Sequence, residues 1–132
     1  MIKQIEISSY IYVLMMVLVF ACSTVFGQDF INGDFDDRIA KDVVVVEFWA
    51  DWNSTNQFND LVKLKECEKY RLDIMANADT QAEYNIVGIP TVIVFDNGIE
   101  KCRFNPNIMF HLEVDKKVIQ NSVDIITLNK FQ

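Results

Sequence analysis

Three cysteines, one histidine and nineteen carboxylates are the side chains in this 132-residue sequence that could do covalent or acid–base chemistry. Cys22, Cys67 and Cys102 stand far apart, so the chain has no vicinal dithiol, and three cysteines over this length are not a disulfide scaffold. His111 is the only histidine and has no cysteine near it in sequence, which leaves no histidine-rich zinc or iron site. Asp34, Asp36 and Asp37 read as a solvated helix start rather than a cation cluster. Asn53-Ser54-Thr55 fits the pattern for N-glycosylation. A helix cap explains the same residues more simply. On these grounds no catalytic residue, no metal ligand and no cofactor is expected.

Charge and hydropathy narrow the classes further. With 12 Lys+Arg against 19 Asp+Glu, the net charge is −7, which argues against nucleic acid as a partner because phosphate neutralisation needs a basic excess. The 51% hydrophobic content is unevenly placed, since Tyr10 to Gly27 carries no charge at all. Residues 1–27 therefore read as an export signal, with cleavage after Gly27 placing Val25 and Gly27 at the small-residue positions. Two alternatives stay open. Val19-Phe20-Ala21-Cys22 can be a lipoprotein box lipidated at Cys22, or the leader can remain as an uncleaved anchor. The product is expected to be exported, periplasmic or secreted, and membrane-associated only through that leader.

Residues 28–132 keep the charge of −7, because the leader holds only Lys3 and Glu6. One domain of this size can fold unaided. Its pattern predicts a short helix over 35–41 and then the run Val43 to Trp49, apolar on both faces as in the middle of a covered sheet. A short amphipathic helix is predicted over 54–65, a strand over 68–74 and a short helix over 79–84. Thr91 to Phe95 is a second buried strand, Asp96-Asn97-Gly98 a hairpin turn, and Ile99 to Phe104 its partner. An extended path is expected over 108–114. Asp115 then caps a final helix, 116–129, with Val118, Ile119, Val123, Ile125 and Ile126 on one broad face. This order predicts a mixed sheet with helices on both faces.

Two separated segments resemble the thioredoxin family. In VVVVEFWADW, residues Phe48, Trp49, Ala50 and Trp52 match the family's strand and aromatic-rich end, and YNIVGIPTVIVFDNG is similar to its second hallmark segment. The resemblance covers roughly residues 30–128. It implies an α/β fold, the thioredoxin-like three-layer α/β/α sandwich with a mixed central sheet. It also implies that Pro90 is a cis-proline preceded by Ile89, and that Glu47 takes the place of a buried acid serving a dithiol.

The match fails where the family's chemistry lies. The C-G-P-C positions are occupied by Asn53, Ser54, Thr55 and Asn56. A carboxamide can neither attack a disulfide nor cycle between oxidation states. The sequence therefore predicts the family's fold without its dithiol reaction, and Glu47 has no dithiol to serve. The helix after this site is also about two turns short and lacks the family's proline. Either an apolar patch stays open on that sheet face, or the long segment 103–114 fills it.

Cys67 and Cys102 fall on strands that such a sheet separates by two others, roughly 14 Å apart at the usual strand spacing. That exceeds the reach of a disulfide. They are expected to be free thiols, with an intermolecular disulfide as the alternative for an exported chain. A groove of Trp52, Ile89 and Pro90 is the expected contact for an unidentified protein partner, with the backbone of Ile89 pairing to an extended peptide. Two other functions are carried beside this one: thiol–disulfide exchange through Cys67 or Cys102, and a membrane-tethered structural role.

Overall fold

The structure is a computed structural model, and it describes residues 34–132. The leader, with its cleavage, lipidation and anchoring alternatives, lies outside the described residues. The elements run α1 (Phe35–Ile39), β1 (Val43–Trp49), two 3-10 segments (Asp51–Asn56 and Asn59–Lys63), β2 (Glu68–Asp73), α2 (Ala78–Glu83), β3 (Thr91–Asp96), β4 (Ile99–Phe104) and α3 (Lys116–Asn129).

The sheet order is β2-β1-β3-β4, with β1 parallel to β2 and antiparallel to β3, and β3 antiparallel to β4. β1 is central and its valines alternate between two cores, as a period-two strand covered on both sides must. Val44, Val46 and Phe48 join Phe35 and Ile39 of α1, with Ile86, Ile89, Ile93 and Phe95, on one face. Val43 and Val45 join Phe58, Leu61 and Leu64, with Ile119 and Val123 of α3, on the other. The sheet is thus the middle layer of a thioredoxin-like α/β/α sandwich. The Asn97-Gly98 turn has both residues at positive φ, which fits the right-handed twist of β3 and β4. Asp115 Oδ1 accepts from the Lys117 and Val118 amides at 2.9 and 3.2 Å, capping α3 as its sequence predicts.

Three expectations need correction. The helix predicted over 54–65 is two 3-10 segments broken at Gln57 and Phe58. The break follows from Phe58, whose ring enters the core while its amide donates to the buried Glu47 carboxylate at 2.5 Å. Segment 108–114 is a looped turn and not an extended strand. Its Leu112 and Val114 nevertheless pack onto the second core, so the long segment does fill that sheet face. On α3, Val118 and Ile125 are exposed, because at about 100° per residue the face centred on Ile119 and Val123 excludes them.

Candidate functional site

The C-terminal ends of β1, β2 and β4 and the N-terminal end of β3 share one edge of the sheet, which follows from the strand directions. The segment that follows β1 places Asn53 on this edge. Asn53 is only 8% exposed, and its carboxamide is fully engaged. Its Nδ2 donates to the Ile89 carbonyl at 3.1 Å and to the Phe110 carbonyl at 3.1 Å. Its Oδ1 accepts from Asn56 Nδ2 at 2.7 Å. Asn53 and Asn56 thus hold each other by a hydrogen bond. Ser54 and Thr55 between them are exposed.

The Ile89–Pro90 peptide is cis. Both residues are buried, whereas Trp52 is 61% exposed. Trp52 does not flank an open cleft with them, because the loop after β4 intervenes. Phe110 meets the Trp52 ring edge-on at a centroid distance of 5.5 Å. Pro106 lies against Gly88, where an added Cβ would sit 3.0 Å from its Cγ. The structure therefore brings Trp52, Asn53, Asn56, Ile89 and Pro90 to one end of the sheet, with Phe110 set on Trp52 and Asn53. Phe110 is absent from the sequence-based site. Its signal is the apolar triplet Ile108-Met109-Phe110 between the turn formers Asn105-Pro106-Asn107 and the polar His111.

Beneath this edge lies a second feature that sequence reasoning missed. Glu47 is fully buried in β1, and Arg71 Nε lies 2.7 Å from its Oε2. Arg71 Nη2 also donates to the Phe58 carbonyl at 3.3 Å, and its guanidinium lies over the Trp49 ring at 5.7 Å. Burial raises the Glu47 carboxyl above its ordinary range, opposed by the Phe58 amide and by Arg71. The available signal was one acid inside a strand read as buried and one base inside the strand predicted over 68–74. Their Cα register is direct: Glu47 faces Arg71 across the β1–β2 ladder. The pair occupies Glu47 as a structural partner.

Cys67 and Cys102 are both free and half-buried, and both pack on the second core. Strands β1 and β3 separate β2, which Cys67 precedes, from β4, which holds Cys102. Burial pushes the Cys67 thiol up to about 11. His111 is exposed on the loop, and Asp34, Asp36 and Asp37 are at the start of α1. Among the described residues no group of His, Cys, Asp and Glu is placed to hold a metal ion, and no helix is long and apolar enough to cross a membrane.

The Thioredoxin family model matches residues 28–113, which span both the β1 segment and the Ile89-Pro90 segment. The chain belongs to the thioredoxin family. It is similar to a thioredoxin of Mycoplasma genitalium, 33% identical over 70 residues that cover 48% of this chain and 69% of that protein. A thioredoxin of Staphylococcus aureus is 32% identical over 74 residues, covering 51% of this chain and 71% of the relative. Among solved structures, a mutant thioredoxin from Halobacterium salinarum superposes with a TM-score of 0.60 at 19% identity, over 74% of this chain and 87% of that one. A designed protein superposes with a TM-score of 0.56 at 17% identity, over 71% of this chain and 90% of that one. These two likenesses concern the fold. Within this thioredoxin-family chain, residues 53–56 carry no sulfur.

Proposed function

We propose that this thioredoxin-family chain is an exported protein-binding module that performs no dithiol exchange at residues 53–56 and meets its partner at the edge formed by Trp52, Ile89 and Pro90. The observation that carries the reading is the Asn53–Asn56 pair. Two carboxamides, linked by a 2.7 Å hydrogen bond, stand at the turn where the family resemblance places its dithiol. The exchange reaction needs a thiolate to attack and a thiol to resolve, and neither group is present there. Cys67 is a poor substitute, since a thiol titrating near 11 is almost wholly protonated at neutral pH. The uncharged run from Tyr10 to Gly27 supports export.

The test is reduction of insulin by dithiothreitol with and without the purified protein. No acceleration is expected. Turnover that disappears in Cys67→Ser or Cys102→Ser would instead assign a thiol reaction to those residues. The intact mass of the protein recovered from its own cells distinguishes cleavage after Gly27 from lipidation at Cys22, and retention of the full chain would remove the case for a cleaved leader.

A further inference from the structure

The loop after β4 makes a tight turn of its own. The Asn107 amide donates to the His111 carbonyl at 2.8 Å, and the Phe110 amide to the Asn107 carbonyl at 3.0 Å. Asn107 Oδ1 accepts from the Met109 and His111 amides at 2.9 and 3.0 Å, while its Nδ2 donates to Glu113 at 2.9 Å. One asparagine therefore closes the whole turn. Both ends are fixed: Arg103 donates to the Tyr84 carbonyl at 2.8 Å on the near side, and Leu112 and Val114 enter the core on the far side.

Between those anchors the turn touches the body at three places. These are Pro106 on Gly88, the Phe110 carbonyl on Asn53, and the Phe110 ring on Trp52. Each of the three receiving residues belongs to the edge assigned to the partner or adjoins it. Phe110 reaches Asn53 from a left-handed backbone, φ 57°, which a residue with a Cβ adopts at a cost. Asn53 meanwhile holds the Ile89 carbonyl, one of the backbone groups a paired peptide strand would use. The turn's own bonds are therefore more numerous than its bonds to the body, which suits a unit that lifts whole. Its outer surface is apolar, with Ile108 94% exposed.

We propose that residues 105–111 are a strap that fills the place beside Ile89-Pro90, so that a partner's segment binds there only by displacing it. The inference rests on the partner-binding reading of this edge. The segment it admits is extended and apolar, so as to replace Phe110 on Trp52 and reach Ile89. It also carries basic residues, because Asp51, adjacent to Trp52 in sequence, and Glu113, bonded to Asn107, are exposed carboxylates.

The experiment uses the full chain, Asn53→Ala, which removes the clasp, and Phe110→Ala, which removes the ring contact and leaves the left-handed backbone as it is. Thermolysin cleavage within 105–112, located by mass, reads strap opening. Fluorescence polarisation with a labelled decapeptide of alternating valine and lysine reads access to the edge. Both variants are expected to be cut at least about tenfold faster and to bind the peptide at least about tenfold tighter than wild type, about 1.4 kcal/mol. Should Asn53→Ala fail to fold, Phe110→Ala carries the test. Faster cutting without tighter binding overturns the strap, as does unchanged cutting in Phe110→Ala. Wild type binding as tightly as the opened variants overturns the strap and keeps the partner edge. Absence of binding by any of the three, with the strap shown open, overturns both. Equal gain for a valine–glutamate decapeptide overturns the basic preference.

Discussion

Arg71 Nε sits 2.7 Å from Glu47 Oε2 in the middle of the sheet, with both side chains shielded from water. The resemblance gives Glu47 the position of an acid that assists a dithiol. Here that acid is held by a guanidinium on the neighbouring strand and by the Phe58 amide. Glu47 and Arg71 together bind Phe58 from both sides, since Arg71 also reaches the Phe58 carbonyl. The ion pair thus fixes the point where the chain after the Asn53 turn dips into the core. The group to which the family resemblance assigns proton transfer is here also a structural anchor.

Removing one partner leaves a buried charge without compensation, which typically costs about 3–5 kcal/mol. Arg71→Met is expected to lose about that much in urea unfolding, whereas Glu47→Leu combined with Arg71→Met recovers most of it. The pH dependence has a defined sign. Burial raises the Glu47 carboxyl from 4.5, and loss of Arg71 removes a lowering influence. A carboxyl raised in the folded state binds more protons folded than unfolded, so stability falls as pH rises above the unfolded value. Urea midpoints for Arg71→Met should therefore drop from pH 5 to pH 8 more steeply than for wild type. A parallel pair of curves would sink this account.

The asparagine pair can be converted back to sulfur. Asn53 and Asn56 are three residues apart on one turn, and their side chains already touch at 2.7 Å. Cα atoms at such spacing fall within the roughly 4.4–6.8 Å span a disulfide needs. Asn53→Cys with Asn56→Cys is expected to lose about two mass units on oxidation and to reduce insulin faster than wild type. The rate is expected to rise again when Arg71→Met frees Glu47. Failure of the pair to oxidise would contradict the geometry given to this turn.

Much of the sheet was legible from residue type. The Val43 to Trp49 run announced a covered central strand, and Asn97-Gly98 announced the hairpin, because both signals are local. The thioredoxin likeness placed Trp52, Asn53, Asn56, Ile89 and Pro90 together at one edge, as the structure does. The illegible parts depend on contacts distant in sequence. The 3-10 break at Phe58 is set by Glu47, eleven residues earlier, and the Glu47–Arg71 pair spans two strands. Phe110 lies 57 residues from the Asn53 amide it receives. A loop residue carries no periodicity that would announce such a meeting.

Thiol chemistry at Cys67 should be slow and steeply dependent on pH. Its thiol is raised from 9.0 to about 11 by burial against the second core. At pH 8 the thiolate fraction is then about a hundredfold below that of an unperturbed thiol. Iodoacetamide labelling of native protein should be slower than in urea by about that factor, rising about tenfold per pH unit to pH 10. Linkage gives a second readout. A thiol raised in the folded state contributes stability fully present below pH 9 and lost as pH climbs toward 11. Cys67→Ala should flatten that alkaline decline.

Two glycines are expected to behave oppositely, and the contrast tests where the loop after β4 is held. Gly98 has φ 83° in the Asn97-Gly98 turn, and an added Cβ would meet only Ala40 Cα at 3.7 Å, an ordinary contact. Gly98→Ala should therefore cost roughly 1–2 kcal/mol through backbone strain alone. Its thermolysin cutting within 105–112 should stay unchanged. At Gly88 the backbone is ordinary, but the new Cβ would meet Pro106 Cγ at 3.0 Å. A proline ring cannot swing away, so the loop must move or the β3 approach must. The loop is the softer of the two, because Ile89 and Thr91 are buried and the Thr91 hydroxyl ties back to the Gly88 carbonyl at 2.6 Å. Gly88→Ala should thus lose less than about 1 kcal/mol in urea unfolding, within the range of most single substitutions. It should also be cut severalfold faster in the loop. The reverse result, a large loss of stability with the loop still protected, would show that Pro106 is held more firmly than β3.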